Sequence, residues 1–130
     1  MDLDHIDDAK GEMPADYRPY FEGEARFQRF TSPFGETPAV FAVHFGPRSR
    51  TRPHVHLSGQ VLQVTSGTGI IADRSGRREI GPGDVITVQP GEWHWHGGTS
   101  TTAMTHLVVQ VMTPGDIDWD VDEGDWAADY

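Results

Sequence analysis

The feature that most constrains this chain is the near absence of helical periodicity in a sequence rich in short β-branched and aromatic runs. Six such runs are predicted to be strands, at 25–30, 39–45, 60–67, 68–73, 84–89 and 103–112. Glycine and proline separate these runs, as in "SPFGETP", "GPGD" and "HGGTS". Six or more strands at this spacing, with no crossover helix between them, predict an all-β sandwich or barrel.

Alternation along the strands assigns side chains to two faces of a sheet. Phe41 and Val43 share one face of their strand, and His106, Val108 and Gln110 share one face of the last strand. We predict that Phe41, Val43, Val108 and Gln110 line a substrate pocket, although the apolar ones would equally serve as ordinary filling of a small barrel. Both faces of the last strand are mostly apolar, so the outward face needs cover from another layer or from a partner subunit.

Length and charge define three regions. The 130 residues suffice for one domain with a real core, and the net charge of −10 comes from the two ends. We predict an acidic N-terminal arm at 1–24, a β-barrel at 25–115 and an acidic C-terminal arm at 116–130, with the acids of the tail largely facing water. Two acidic arms would repel phosphate, so no nucleic-acid partner is expected.

Targeting signals and membrane segments are not predicted. No apolar run reaches the roughly 18 residues of a transmembrane helix, and the first ten residues are too acidic and polar for a signal peptide. The chain also has no cysteine, which suits a cytoplasmic protein without disulfides. We therefore expect a cytoplasmic location and no membrane partner.

Five of the seven histidines fall into three groups, which are His54 with His56, His94 with His96, and His106. In each His-x-His pair, the spacing of two places both rings on one face of an extended segment, within reach of one metal ion. Gln60 follows a short break that can aim its carbonyl oxygen at the same point. One pair is a weak signal, but two pairs beside Gly/Pro turns in one small domain predict a metal site.

From Gly46 to His96 the chain resembles the two-motif signature of the cupins. The first motif corresponds to Gly46, His54-Val-His56, Gln60 and Gly67, and the second to Gly83-Asp84, Pro90-Gly91 and His94. Two departures are visible, because Gln60 stands where cupins usually have Glu and "QPGE" replaces the usual Pro-x-Gly. The segments "RTRPHVHLSGQVLQVTSGTG", "PGDVITVQPGEWHWHG" and "TTAMTHLVVQ" resemble small bacterial manganese-dependent cupin hydroxynitrile lyases, and equally the wider group of carboxymuconolactone-decarboxylase-associated cupins.

The resemblance implies a single-domain cupin, which is a double-stranded β-helix or jelly-roll barrel. It implies a divalent metal ion held by four side chains, with two further histidines as acid–base catalysts: His54, His56, Gln60 and His94 as ligands, and His96 and His106 as catalytic residues. Manganese is the ion that the resemblance favours, while nitrogen and oxygen ligands without sulfur also suit Fe, Ni, Co or Zn.

Gln60 brings a neutral carbonyl oxygen where the usual glutamate would bring a charge. Three neutral histidines plus Gln60 leave the charge of a divalent ion uncompensated by these ligands. We therefore expect a stronger Lewis acid that is held less tightly.

Three functions are compatible with these features. The favoured hypothesis is a metal-dependent lyase that performs acid–base chemistry on a small hydroxy or carbonyl compound, such as the cleavage or synthesis of a cyanohydrin. An Fe-dependent cupin dioxygenase is the first alternative, although such oxygenases commonly retain a carboxylate ligand. The other alternative is a cupin that binds a small molecule or metal without catalysis. The expected partners are a small-molecule substrate and further copies of the chain, in a homodimer or homotetramer.

Overall fold

The structure, a computed structural model, describes residues 1–128 and consists almost entirely of antiparallel β-strands. A 3₁₀ turn at Arg18–Tyr20 precedes twelve strands in the described part of the chain. They are β1 (Phe21–Glu22), β2 (Ala25–Arg29), β3 (Ala39–Phe45), β4 (Arg50–Thr51), β5 (Val55–His56), β6 (Gln60–Gly67), β7 (Gly69–Asp73), β8 (Gly76–Ile80), β9 (Val85–Val88), β10 (Trp95–Gly98), β11 (Met104–Gln110) and β12 (Ile117–Asp118). Within residues 1–128, no helix is long and apolar enough to cross a membrane.

The strands form two five-stranded sheets and a short ribbon. The sheet orders are β1-β4-β10-β7-β8 and β2-β3-β11-β6-β9, and β12 pairs with β5 in the ribbon. Neighbours in each sheet are often far apart in sequence, as for β3 and β11, because the chain passes repeatedly from one sheet to the other. This is the arrangement of a jelly roll, so the predicted all-β jelly-roll barrel is confirmed.

The long apolar strands lie where the alternation of the sequence placed them. On β6, for example, Leu62 and Val64 are buried while Val61 and Gln63 are exposed. Both buried side chains pack in the core between the sheets, together with Phe45 and other apolar residues. Complete burial of a side chain such as Leu62 contributes about 1.5–3 kcal/mol.

Six of the twelve strands were not predicted from the sequence; four of them have only two residues each, and β8 and β10 are the longer two. β8 occupies a charged stretch beginning at Gly76, and it forms the edge of its sheet, where exposed charged residues are acceptable. β10 includes Gly97 from the "HGG" stretch that was assigned to a turn. A Cβ atom at Gly97 would lie 2.2 Å from the Ser49 carbonyl oxygen, so glycine is present because two strands approach closely there.

The C-terminal arm packs against the barrel through a second apolar cluster. Trp93 and Trp95 are buried with Trp126 of the arm, whose Nε1 donates to the Thr51 carbonyl oxygen at 2.9 Å. Arg52 of the barrel also pairs with Glu123 of the arm at 2.5 Å. The two outward-facing tryptophans of the second His-x-His motif therefore serve as packing residues under the chain's own tail.

The N-terminal arm lies against the outer face of the second sheet. Gln28 Nε2 donates to the His5 carbonyl oxygen at 2.8 Å, and Gln28 Oε1 accepts from the Asp7 amide at 3.0 Å. His44 is buried beneath this arm, with its Nδ1 2.8 Å from Thr105 Oγ1. The arm thereby supplies part of the cover that the outer face of β3 and β11 needs.

Candidate metal centre

Three histidine rings converge inside the barrel, where their ligand nitrogens lie within 4.8 Å of one another: His54, His56 and His94. Two of them belong to an isolated antiparallel bridge, in which the His54 amide donates to the His94 carbonyl oxygen at 3.0 Å and the His94 amide donates back at 3.1 Å. His56 follows in β5 on the same side of the extended segment as His54. This bridge brings together two His-x-His motifs that are forty residues apart in the sequence.

Backbone carbonyls fix the orientation of two of these rings. His54 Nδ1 donates to the Arg52 carbonyl oxygen at 2.8 Å, and His94 Nδ1 donates to the Glu92 carbonyl oxygen at 2.9 Å. Each ring therefore carries its proton on Nδ1 and leaves the Nε2 lone pair for another partner. Burial lowers the pKa of His94 to about 4 and holds the pKa of His54 well below its usual range, so both rings are neutral at pH 7.

Gln60 begins β6 and lines the same cavity. Its Nε2 donates to Gln110 Oε1 at 3.1 Å, which leaves Oε1 of Gln60 buried without a hydrogen-bond partner among residues 1–128. In the same described part of the chain, the Nε2 atoms of His56 and His94 are likewise buried without a hydrogen-bond partner. Neutral imidazoles and a carbonyl oxygen in a buried site suit a divalent cation, so this group suggests a divalent metal site.

Two more histidines lie beside this group. His106 Nε2 and His96 Nδ1 are 2.9 Å apart and share a hydrogen bond, and the His96 ring centroid is 5.7 Å from those of His54 and His94. Burial lowers the pKa of His106 to about 3, and burial together with the neighbouring imidazoles holds the pKa of His96 well below its usual range. Both rings are therefore neutral, and His96 Nε2 has no hydrogen-bond partner within the residues that the structure describes.

A cavity of about 40 Å³ is lined by five of these side chains, which are His54, His56, Gln60, His96 and His106. Its lining includes the four side chains that the sequence analysis assigned to a pocket, which are Phe41, Val43, Val108 and Gln110. It also includes residues from outside the barrel strands that the sequence analysis did not assign to the pocket, namely Tyr17, Met112, Ile117 and Trp119. A volume of this size holds about three water molecules, which is enough for a small ligand group beside the histidines.

A larger groove of about 450 Å³ lies outside the cavity. The groove and the cavity share four lining side chains, which are Tyr17, Phe27, Phe41 and Met112. The Phe27 and Phe41 rings are stacked 5.4 Å apart. These four side chains therefore form the wall between the surface groove and the histidines.

Asp116 is a residue of the site that the sequence analysis missed. It was expected in a solvated tail, yet its side chain is fully buried. Its Oδ1 accepts from Ser58 Oγ at 2.7 Å, its Oδ2 accepts from Gln110 Nε2 at 2.9 Å, and Oδ2 lies 3.5 Å from His56 Nδ1. The pairing of β12 with β5 carries Asp116 back under the barrel, and no local pattern of residues signals this return.

Comparison with known proteins agrees with this architecture. The family model described as the AraC-like ligand binding domain matches residues 37–112. An (R)-mandelonitrile lyase from Granulicella tundricola is 44% identical over 114 residues, which is 85% of either chain. The chain therefore belongs to the cupin superfamily, in a part of it close to such lyases.

Solved structures show the same fold. A cupin-like protein from Thermotoga maritima aligns with a TM-score of 0.73 at 28% identity, covering 83% of this chain and 82% of that one. The polyketide cyclase RemF from Streptomyces resistomycificus also aligns with a TM-score of 0.73, covering 95% and 90% of the two chains. Its 19% identity shows a shared fold alone.

Proposed function

We propose that this protein is a metal-dependent cupin lyase that cleaves or forms the carbon–carbon bond of a cyanohydrin. The observation that carries the proposal is the hydrogen-bonded His96–His106 pair, which lies beside the three-histidine group and lines the same cavity as His54 and His56. The 44% identity to an (R)-mandelonitrile lyase supports this reaction class.

The proposed ligands of the divalent ion are His54, His56, Gln60 and His94, and manganese is the proposed ion. When bound, the ion supplies Lewis acidity that stabilises negative charge on the substrate oxygen. The neutral state of the rings suits this role, because a histidine must be deprotonated at the ligating nitrogen.

His96 is the proposed base. In the cleavage direction, its free Nε2 accepts the proton of the substrate hydroxyl, the bond to the nitrile carbon breaks, and its electron pair leaves with cyanide. The resulting imidazolium keeps its Nδ1–H donated to His106 Nε2, which stabilises the positive charge. Cyanide then takes the proton from His96, so the products are a carbonyl compound and hydrogen cyanide.

The apolar wall of the cavity supports this proton transfer. Phe41, Val43 and Val108 line the cavity beside the polar groups, with Val43 opposite His106 in the register of β3 and β11, and they limit the contact of His106 with bulk water. Away from bulk water, the attraction between the imidazolium and the developing anion is stronger than in water.

The test is metal analysis of untagged protein, followed by an assay of carbonyl release from cyanohydrins in air and without oxygen. We expect near-stoichiometric metal in the wild type, loss of metal in the double variant His54→Ala/His94→Ala, and equal activity with and without oxygen. The variant His96→Asn should keep metal but lose about 10²–10⁴-fold in activity.

The matched control is His5→Ala, which removes an exposed histidine of the arm and should change nothing. Undiminished activity in His96→Asn would contradict the assigned base. A requirement for oxygen would instead favour the dioxygenase alternative.

A further inference from the structure

His56 differs from His54 and His94 in the hydrogen-bond partners of its Nδ1 atom, the ring nitrogen that points away from the proposed metal position. Backbone carbonyl oxygens, which no side-chain substitution removes, hold Nδ1 of His54 and His94. His56 Nδ1 instead faces two side chains, with Gln110 Nε2 at 2.8 Å and Asp116 Oδ2 at 3.5 Å. These two side chains therefore influence which tautomer His56 adopts, and with it whether Nε2 can bind a metal ion.

These two neighbours favour opposite tautomers of His56. The Gln110 amide donates a hydrogen to Nδ1, which places the ring proton on Nε2 and prevents that atom from binding a cation. The Asp116 carboxylate can only accept, which places the ring proton on Nδ1 and frees the Nε2 lone pair. The tautomer of His56 decides whether the group offers two ring ligands or three.

We propose that Asp116 is the positioning residue that makes His56 a metal ligand, an inference that rests on the metal site of the proposed function. When a cation takes the Nε2 lone pair of His56, the proton at Nδ1 faces the Gln110 amide, which is also a donor, so Gln110 must move away and Asp116 Oδ2, now 3.5 Å away, becomes the acceptor. The Asp116 carboxylate also places a negative charge next to His56, one of a set of neutral ligands. Asp116 would thus supply the negative charge that the neutral Gln60 does not bring to the metal site.

The side chains around Asp116 donate hydrogen bonds to both oxygens of its carboxylate. Ser58 Oγ donates to one oxygen and Gln110 Nε2 to the other, and the Leu57 amide donates to the Asp116 carbonyl oxygen at 2.8 Å. A buried carboxylate is costly unless hydrogen bonds and an opposite charge compensate it. Two hydrogen bonds are present here, and the cation would supply the opposite charge.

The first test is zinc affinity of the full chain, measured by competition with a chromophoric chelator. Asp116→Ala removes both the charge and the acceptor, whereas Asp116→Asn keeps the shape and one acceptor oxygen. We expect zinc binding about 10–100-fold weaker in Asp116→Ala, with a smaller loss in Asp116→Asn. Asp118→Asn is the control, because it removes an exposed acid from the same ribbon.

The second test is the tautomer of each imidazole, read from ring-nitrogen NMR spectra with and without zinc. In metal-free wild type we expect the proton of His56 on Nε2, and in zinc-loaded protein on Nδ1. His54 and His94 should keep theirs on Nδ1 in both states. In zinc-loaded Asp116→Asn, the His56 Nδ1 proton should move upfield, because a neutral acceptor replaces a charged one.

The outcomes separate the two proposals. Wild-type zinc affinity in both Asp116 variants would overturn the role of Asp116 and leave the proposed function standing. Failure of the wild type to bind zinc or manganese would overturn the proposed function itself. If a variant fails to fold, the wild-type spectra still test the inference. A His56 proton that stays on Nε2 in zinc-loaded wild type would refute it.

Discussion

The histidines of this protein differ mainly in the partner of one ring nitrogen. A backbone carbonyl holds His54 and His94, a carboxylate and an amide face His56, and His96 and His106 bond to each other. A sequence shows the spacing of these residues but not these partners. For this reason the histidine groups were predicted from the sequence, whereas the distinct surroundings of His56 were not.

The size of the cavity leads to a prediction at Phe41. Its ring separates the cavity from the outer groove, and about 40 Å³ is small for a substrate with an aromatic ring. Phe41→Ala should therefore raise kcat/KM for aromatic cyanohydrins relative to small aliphatic ones by about tenfold or more. Steady-state kinetics on both substrates would measure the ratio. Phe34→Ala, in the groove but not lining the cavity, is the control, and an unchanged ratio in Phe41→Ala would show that Phe41 does not limit substrate size.

His44 gives a prediction about pH and stability. Burial, and then the Arg26 charge, lower its pKa from the ordinary value of 6.5, while Asp8 opposes this shift in part. Because the unfolded chain then binds the proton more readily, the stability that neutral His44 contributes is complete above pH 6.5 and is lost as the pH falls below that value.

The variant His44→Gln has no such proton to bind. Between pH 7.5 and 5.5, wild type should therefore lose up to about 1.4 kcal/mol more unfolding free energy than the variant. Urea denaturation at the two pH values measures this difference. Parallel losses in the two proteins would show that His44 does not contribute to acid sensitivity.

At the scale of elements, the strands that the sequence predicts most accurately are the long ones that bury one face in the core. β3 and β6 begin and end at the predicted residues, because one face of each packs in the core and apolar alternation records this packing. The ribbon of β5 and β12 has two residues in each strand, too few for an alternation to be recognised. Only the fold shows that the ribbon exists and that it positions Asp116.

β10 gives a prediction at Gly97. A Cβ atom there would lie 2.2 Å from the Ser49 carbonyl oxygen, so Gly97→Ala must push β4 and β10 apart. The unfolding free energy should fall by about 1–3 kcal/mol, as for other overpacked sites. The same substitution at Gly81, where nothing lies within 4 Å of the added carbon, should be neutral or slightly stabilising. Thermal or urea unfolding compares the two variants, and equal stabilities would contradict the close approach.

At the scale of the whole molecule, the arms fold back onto the barrel. Arg50, which is buried, pairs with Glu22 of β1 at 2.9 Å, and Arg74 pairs with Asp122 of the tail at 2.6 Å. Both side chains of the Arg74–Asp122 pair are exposed, and such pairs contribute little stability, so the packing of Trp126 does more to hold the tail. The net charge of −10 comes mainly from acidic residues on the surface, and it does not reveal that one acid, Asp116, is buried.

One face of the barrel remains exposed, and it leads to a prediction about assembly. Outward side chains of β6, β9 and β11 carry no charge, and they include the exposed Val61, Val85 and Val109. We propose that a second copy of the chain covers this face, because an uncharged surface lets two acidic molecules approach without repulsion. Analytical ultracentrifugation should show a homodimer or homotetramer in the wild type and a smaller species for Val85→Lys/Val109→Lys. Thr101→Lys, in an exposed loop, should not alter assembly, and a monomeric wild type would refute this proposal.

The sequence by itself determined the class of fold, the long strands and the histidine groups of the candidate site. These features depend on local periodicity and on motifs, which a linear pattern records. The tertiary structure alone decided that His54 faces His94 across a bridge, that His96 bonds to His106, and that Asp116 lies behind His56. Such contacts join residues that are far apart along the chain. These contacts form only when the two sheets pack together. The identity of a residue in the sequence does not show whether its side chain lies in water or inside the barrel.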